Sequence, residues 1–166
     1  GCALVWACLH RGPWYDEFYT QFVTRPGVPW GTALRESWLA DNHPPLYYIL
    51  ARATAWLGSI AEHRLLNLAL GAAALVGALA IVRDVPRLAP AASLLALELA
   101  ANPWTLITGS ELRSYFLSLC AGAVFALGLC AVRVAGEAGG RGRPAAFWIA
   151  AILAFNTHII TSLTCA

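Results

Sequence analysis

Two adjacent acidic residues, Asp16 and Glu17, are the strongest candidates for chemistry in this sequence. They follow an apolar stretch that ends near Leu9, and aromatic residues flank them in the run 14–19. Carboxylates beside a membrane helix are costly to desolvate, so their position there indicates a function. Such a carboxylate can act as a general base that takes the proton of an attacking hydroxyl group. The alternative is a solvated loop in which the two acids only favour the start of a helix.

A second group of polar residues alternates at the start of a later apolar segment, as Glu111, Arg113 and Tyr115. In a helix that includes all three, Glu111 and Tyr115 share a face and Arg113 is offset from it. A guanidinium group matches the oxygen atoms of a phosphate, so Arg113 predicts a phosphate-binding site. The alternative is an interfacial anchor, in which arginine and tyrosine side chains reach the lipid headgroups.

Three isolated polar residues are further candidates. His43 lies in the run 42–45, whose prolines are typical of the first turn of a helix, and it is either a ligand contact or a capping residue. His158 lies in an apolar run, where it either contacts a ligand or packs in the core. Glu98 also lies in an apolar run, where a carboxylate must face a cavity, bind a partner or be protonated. It either lines the active cavity or bonds to a neighbouring helix.

The composition is typical of a membrane protein. Hydrophobic residues make up 59% of the chain and charged residues only 12%, whereas a soluble domain carries about 25% charge. The eleven basic residues are all arginines and are scattered, so the sequence gives no indication of nucleic-acid binding. The cysteines and histidines lack metal-ligand spacing, so no cofactor is predicted, although a divalent metal remains compatible with the sequence.

Four segments have the length and apolarity of membrane spans, namely 65–82, 88–107, 112–132 and 144–160. They predict an all-α fold, a polytopic transmembrane bundle. Residues 10–63 are predicted to form a long outer loop with interfacial helices, because they are rich in tryptophan and proline. Residues 1–9 have about half the length of a span. We therefore expect the chain, 1–166, to be the N-terminal part of one multi-span domain, truncated at both ends.

Segment 44–61 determines which loops share a side of the membrane. It is long enough to span, but Arg52 would then lie near the bilayer centre, at a cost of about 2.5–3.5 kcal/mol. An interfacial or re-entrant helix fits the segment better. Two spans then separate the first loop from residues 102–113, so both face the same compartment. The acidic pair and Arg113 are therefore expected to share one outer site.

The order of these motifs resembles the GT-C superfamily of membrane glycosyltransferases. The closest likeness is to bacterial relatives of the protein O-mannosyltransferases and of the aminoarabinose transferases. The resemblance covers nearly the whole chain. It rests on the acidic pair after the first apolar segment, His-Pro-Pro-Leu-Tyr-Tyr at 43–48, Arg-Leu at 64–65, Asn-Pro-Trp at 102–104 and Glu-x-Arg-x-Tyr at 111–115.

The resemblance implies transfer of a sugar from a polyprenyl-phosphate donor to a hydroxyl group of a protein, lipid or glycan. The reaction would take place on the outer face of a bacterial cytoplasmic membrane, with membrane lipids as further partners and without nucleic acid. The catalytic acid of the family carries over to Asp16, with Glu17 beside it. The substrate-binding positions carry over to a second set, His43, Glu111, Arg113, Tyr115 and His158.

Two other classes of protein remain as alternatives. A transporter fragment is one, because polar residues in spans also mark substrate paths. A transporter would place more charge at the middle of its spans, whereas only Glu98 lies deep here. The other is a non-catalytic subunit of a membrane assembly, in which the acidic pair would be dispensable.

Overall fold

The computed structural model describes residues 2–41, 43, 45–137 and 145–156, and these residues are helical without any strand. The α-helices in chain order are α1 (Cys2–His10), α2 (Tyr15–Val23), α3 (Trp30–Ala33), α4 (Leu46–Ala53), α5 (Ile60–His63), α6 (Leu66–Asp84), α7 (Ala89–Ala101), α8 (Pro103–Gly109), α9 (Tyr115–Glu137) and α10 (Ala145–Phe155). A π-helical segment, Leu34–Trp38, continues α3, and 3-10 segments occupy Ala55–Leu57 and Pro86–Leu88. The prediction of an all-α fold is confirmed for this part of the chain.

Two helical stretches in the described residues are long and apolar enough to cross a membrane. They are Ile60–Asp84, which joins α5 to α6, and Tyr115–Val134 in α9. At 1.5 Å per residue, their 25 and 20 residues extend about 37 and 30 Å, against a hydrocarbon core of about 30 Å. Helix α9 packs against both α6 and α10, and this contact forms the main apolar core.

The predicted span 88–107 was wrong as a single helix, because the chain breaks between α7 and α8. Asn102 has an extended backbone, with ψ of 126°, as expected for a residue that precedes proline. Its side chain accepts a hydrogen bond from the Trp104 amide at 2.8 Å and so caps α8. The two helices have 13 and 7 residues, and neither alone is long enough to span.

The last predicted span, 144–160, is only partly covered by the described residues. Its described part is α10, an 11-residue helix that packs on α9. The remainder lies outside the described residues, so the length of this span stays a prediction.

Segment 44–61 does not form one continuous helix. Helix α4 has eight residues, about 12 Å, and is followed by the 3-10 segment and then by a turn at Gly58. Gly58 has φ of +76°, a conformation that glycine adopts without steric cost. Arg52, whose charge argued against a span, donates hydrogen bonds to the backbone carbonyls of Arg25, Pro26 and Val28. This segment therefore lacks the single long helix that a membrane span requires, and its interfacial position stays a prediction.

The C-terminal ends of α1 and α8 meet the start of α6 at one end of the structure. Asn67, in the first turn of α6, donates hydrogen bonds to the carbonyls of Gly109 and Glu111 at 2.9 and 2.7 Å. Helix α1 lies so close to α8 that a Cβ atom at Gly109 would stand 2.9 Å from Leu4 Cδ1. These contacts bring residues 109–114 next to the loop that carries the acidic pair.

Candidate functional site

Glu17 is fully buried, and its carboxylate is saturated with hydrogen bonds. Arg64 donates from Nε to Oε1 at 2.7 Å and from Nη2 to Oε2 at 2.6 Å, and neither side chain is exposed. The backbone amide of Leu112 donates to Oε1 at 2.7 Å, and that of Trp14 donates to Oε2 at 3.1 Å. The last bond caps the start of α2. We call this arrangement, centred on Glu17 and Arg64, the buried ion pair.

The other donors of Arg64 bind the C-terminal end of α1. Its Nη1 donates to the carbonyls of Cys8 and Arg11 at 3.0 and 2.6 Å, and its Nη2 donates to the carbonyl of Gly12 at 3.2 Å. All five N–H groups of the guanidinium are therefore used. The buried ion pair ties together α1, α2, the start of α6 and the segment before α9.

The expectation that both acidic residues are catalytic needs correction for Glu17. Burial alone would raise the pKa of its carboxyl group, but hydrogen bonds from Arg64, Leu112 and Trp14 lower it by more. Its pKa therefore lies below the usual value, and its oxygens are already occupied by donors. Because a general base must reach the proton that it takes, Glu17 does not fit that role in this geometry.

Asp16, by contrast, faces Arg113. Its side chain is 35% exposed, and its Oδ2 lies 3.6 Å from Arg113 Nη2, beyond hydrogen-bond distance. The Arg113 side chain is only 9% exposed, and its buried Nε has no hydrogen-bond partner among the described residues. We call this arrangement the open ion pair. It joins the first loop to the second polar motif, which is the juxtaposition expected from the sequence.

Arg113 remains a strong cation in spite of its burial. Desolvation lowers the pKa of the guanidinium, but a hydrogen bond with Tyr115 and the charge of Asp16 raise it by more. Its Cζ also lies 5.6 Å from the centre of the Tyr115 ring. A buried cation with an unused donor is suited to binding an anion such as a phosphate.

His43 extends the open ion pair on its Tyr115 side. The two rings meet edge to face, with their centres 6.0 Å apart. His43 Nδ1 lies 3.4 Å from Asp41 Oδ1, and the Tyr48 hydroxyl donates a hydrogen bond to Asp41. Burial and this contact with Asp41 raise the pKa of Tyr48, so its hydroxyl stays protonated. The predicted residues Asp16, His43, Arg113 and Tyr115 thus form one polar cluster.

Glu111 belongs to a different contact. The expectation that it shares a helical face with Tyr115 was wrong, because residues 110–114 form turns and α9 begins only at Tyr115. Glu111 Oε1 instead lies 2.9 Å from Arg11 Nη2. Arg11 also donates to the Ile107 carbonyl at 3.0 Å and to Ser110 Oγ at 3.2 Å. Glu111 therefore helps to fasten the second loop to the first.

The remaining two candidates do not join the polar cluster in the described structure. His158 lies outside the described residues. Glu98 is exposed on α7 and accepts a hydrogen bond from the Asn102 side chain, one turn later in the chain. Its contact is thus with the residue that caps the next helix, α8, which agrees with the expected bond to a neighbouring helix.

Arg64 and Asp41 belong to the site but are not among the predicted site residues. The signal for Arg64 is its position beside a span, where a charge needs a partner. Asp41 precedes His43 by two residues, a spacing that allows contact in a turn. Among the described residues, no group of three or more His, Cys, Asp or Glu side chains is arranged to hold a metal ion.

A cavity of about 380 Å³ lies beside the other face of α2, away from Asp16. Aromatic and polar side chains line it, among them Phe18, Gln21, Phe22, Arg25 and His63. A second cavity of similar volume is an apolar groove formed by α6, α9 and α10. Neither cavity is lined by a residue of the polar cluster. The cluster is therefore a candidate site because of its charged and aromatic side chains and not because it lines a cavity.

We find no match to this chain among protein-family models, curated proteins or solved structures. What is established is an all-helical fold in the described residues, with two helices of membrane-spanning length. The polar cluster is therefore the structural basis for any activity, and the resemblance to glycosyltransferases stays a proposal.

Proposed function

We propose that the protein is a glycosyltransferase of the GT-C type, which moves a sugar from a polyprenyl-phosphate donor to an acceptor hydroxyl group. The observation that carries this proposal is the open ion pair. A partly exposed carboxylate, Asp16, faces an almost buried guanidinium, Arg113, just before a helix long enough to cross a membrane. Sugar transfer from a lipid phosphate needs both a base and a cation at the membrane surface.

In the proposed reaction, Asp16 and Arg113 have separate roles. Asp16 takes the proton of the acceptor hydroxyl group as its oxygen attacks the anomeric carbon of the donor sugar. The bond between this carbon and the phosphate oxygen breaks, and the electron pair leaves with the polyprenyl phosphate. Arg113 stabilises the negative charge that develops on the leaving phosphate.

The looseness of the open ion pair supports this division of roles. At 3.6 Å, Asp16 and Arg113 attract each other without a hydrogen bond, so each keeps capacity for a substrate. A bound phosphate would compete with Asp16 for the guanidinium and would leave the carboxylate available as a base. The rings of His43 and Tyr115 border this position and would contact the donor.

The placement on the outer face of a bacterial cytoplasmic membrane is part of the same proposal. Its support is the gathering of the first loop and the segment before α9 at one end of the structure.

The test is a transfer assay on the full-length protein in lipid nanodiscs, with a panel of defined polyprenyl-phosphate sugars. We expect Asp16→Asn to lower kcat by about 10²- to 10⁴-fold, the usual contribution of a general base. Asp84→Asn is the matched control, because Asp84 is an exposed acid at the far end of α6, and it should keep full activity.

Unchanged transfer by folded Asp16→Asn protein would contradict the assignment of the base. Movement of a sugar or its lipid across the membrane, without transfer to an acceptor, would instead indicate a transporter.

A further inference from the structure

We infer that Glu17, held in place by Arg64, is a positioning residue for this reaction, which keeps Asp16 and Arg113 opposite each other. The inference rests on the proposed function and gives Glu17 a role other than that of a catalytic base. Its basis is the buried ion pair, in which Glu17 follows Asp16 directly in the chain and its carboxylate accepts the amide hydrogen of Leu112, the residue before Arg113.

Glu17 is adjacent to Asp16 in the chain and is hydrogen-bonded to the residue before Arg113. It follows Asp16 directly in α2, so the backbone that fixes one side chain also fixes the other. Through Oε1 it accepts the amide hydrogen of Leu112, the residue before Arg113, at 2.7 Å. A single buried carboxylate therefore sets how far the start of α2 lies from the segment before α9.

Arg64 supplies the rigid support for that carboxylate. It stands two residues before α6, and its remaining donors bind three carbonyls at the end of α1. Because its five donors and both carboxylate oxygens are used, a shift of either side chain would break several buried hydrogen bonds. The start of the long helix that contains α6 therefore anchors the buried ion pair, and through it the position of Asp16 relative to Arg113.

A nearby contact offers a matched control. The ion pair between Arg11 and Glu111 also ties the second loop to the first, at 2.9 Å, but Arg11 is 36% exposed. The Arg11 side chain makes no hydrogen bond to Glu17 or to the Leu112 amide, and the carbonyl of Arg11 that binds Arg64 is kept in a side-chain variant. If the buried ion pair only added stability, loss of either ion pair would change folding and leave kcat per folded molecule unchanged.

The experiment compares Glu17→Gln with Arg11→Gln in the full-length protein. Misplacement of a reacting group by about 1 Å can cost about 100-fold in rate, so we expect Glu17→Gln to lower kcat per folded molecule by about 10- to 100-fold. We expect the donor KM to change by less than about 3-fold, because Arg113 still binds the phosphate. Arg11→Gln should leave both constants near those of the parent protein.

A double variant separates positioning from an independent catalytic role. Residues that act as a unit show non-additive losses, so Asp16→Asn combined with Glu17→Gln should be no slower than Asp16→Asn alone. Losses that multiply would overturn the inference, and so would an unchanged kcat in folded Glu17→Gln protein. If Glu17→Gln does not fold, Glu17→Asp serves instead, because it keeps the charge beside Arg64 but is too short to hold both partners.

Hydrogen–deuterium exchange at the Leu112 amide gives a readout that needs no activity. Glu17→Gln or Glu17→Asp should speed this exchange at least about 10-fold relative to Arg11→Gln, as expected for a lost buried hydrogen bond. A full-length protein that transfers no sugar would overturn the proposed function, and the exchange result would then decide whether the buried ion pair holds the two segments. Equal exchange in all variants would overturn the inference even in an active enzyme.

Discussion

Asp16 and Glu17 are neighbours in the chain, but they form two ion pairs of opposite character. Glu17 and Arg64 are fully buried, at 2.6 Å, with every donor of the arginine used. Asp16 and Arg113 are 3.6 Å apart, the carboxylate is partly exposed, and a buried nitrogen of the arginine has no hydrogen-bond partner among the described residues. Within the first turn of α2, one acid thus lies in the interior and its neighbour lies at an accessible surface.

The difference shows how one part of a polar cluster can be fixed in place while another part stays open to a ligand. A saturated pair has no capacity left for a ligand, and its many bonds restrict the positions of four chain segments. A pair with unused donors and acceptors is less stable by itself, but it can exchange its partner for a substrate. In this protein the buried ion pair adjoins the open ion pair, because Glu17 follows Asp16 and binds the amide of the residue before Arg113.

The largest effect should come from breaking the buried ion pair. Arg64→Ala leaves the carboxylate of Glu17 buried without a counter-charge, so we expect a loss of about 3–5 kcal/mol in the free energy of unfolding. Asp16→Ala removes a partly exposed carboxylate that makes no hydrogen bond with Arg113, so we expect a smaller loss, which comes from leaving the almost buried Arg113 without this counter-charge. Denaturant unfolding of the purified full-length variants measures both.

Equal losses for the two variants would contradict the contrast between the two ion pairs. Failure of Arg64→Ala to accumulate as folded protein, with normal yields of Asp16→Ala, would support the contrast, as the extreme case of the expected loss of stability.

The next effect concerns the ligand that the open ion pair is expected to bind. Hydrogen bonds to charged groups contribute about 1.5–3 kcal/mol, so we expect Arg113→Gln to weaken binding of polyprenyl phosphate by about 10- to 100-fold. Arg133→Gln is the matched control, because Arg133 is an exposed arginine toward the other end of α9. Titration of both variants with a fluorescent polyprenyl phosphate gives the two Kd values.

If both arginine variants lost affinity equally, the phosphate would be attracted by overall charge and not by this site. Unchanged affinity in Arg113→Gln would remove the phosphate from the open ion pair.

The sequence predicted that the first loop and residues 102–113 share one side, because two spans, 65–82 and 88–107, were expected between them. The structure brings Asp16 near Arg113, but the second of these spans is divided into α7 and α8, so the predicted proximity is seen while the span count behind it is not. The break at Asn102 was also visible, since proline disfavours a helical residue before it, but the length of the apolar run outweighed that signal. Helix length alone is therefore a poor guide where an Asn-Pro pair interrupts the run.

The roles of the two acids could not be read from the sequence. The partner of Glu17 is 47 residues away, and only the packing of α1, α2 and α6 brings them together. In the same way, residues 110–114 leave the helix because Asn67 and Glu17 bind the backbone of Glu111 and Leu112. Such long-range hydrogen bonds override the local helical preference that placed Glu111 beside Tyr115.

The smallest effect should appear when acid weakens the buried ion pair, because protonation removes the charge of Glu17 and keeps its packing. The pKa of Glu17 is lowered from its ordinary value of 4.5. A carboxyl group with a depressed pKa stabilises the folded state above its unfolded pKa, and this stability is lost as the pH falls through the folded value. The loss should therefore begin near pH 4.5 and continue below it.

Thermal unfolding between pH 6 and pH 3 tests this prediction on the two variants already described. The unfolding midpoint of Arg11→Gln should fall with acid as steeply as that of the parent protein, since Glu17 is intact in both. Folded Glu17→Gln protein should start from a lower midpoint and lose less of it below pH 4.5, because its side chain at position 17 does not titrate. Parallel curves for all three proteins would mean that the charge of Glu17 does not stabilise the folded protein. The two ion pairs would then differ in burial alone.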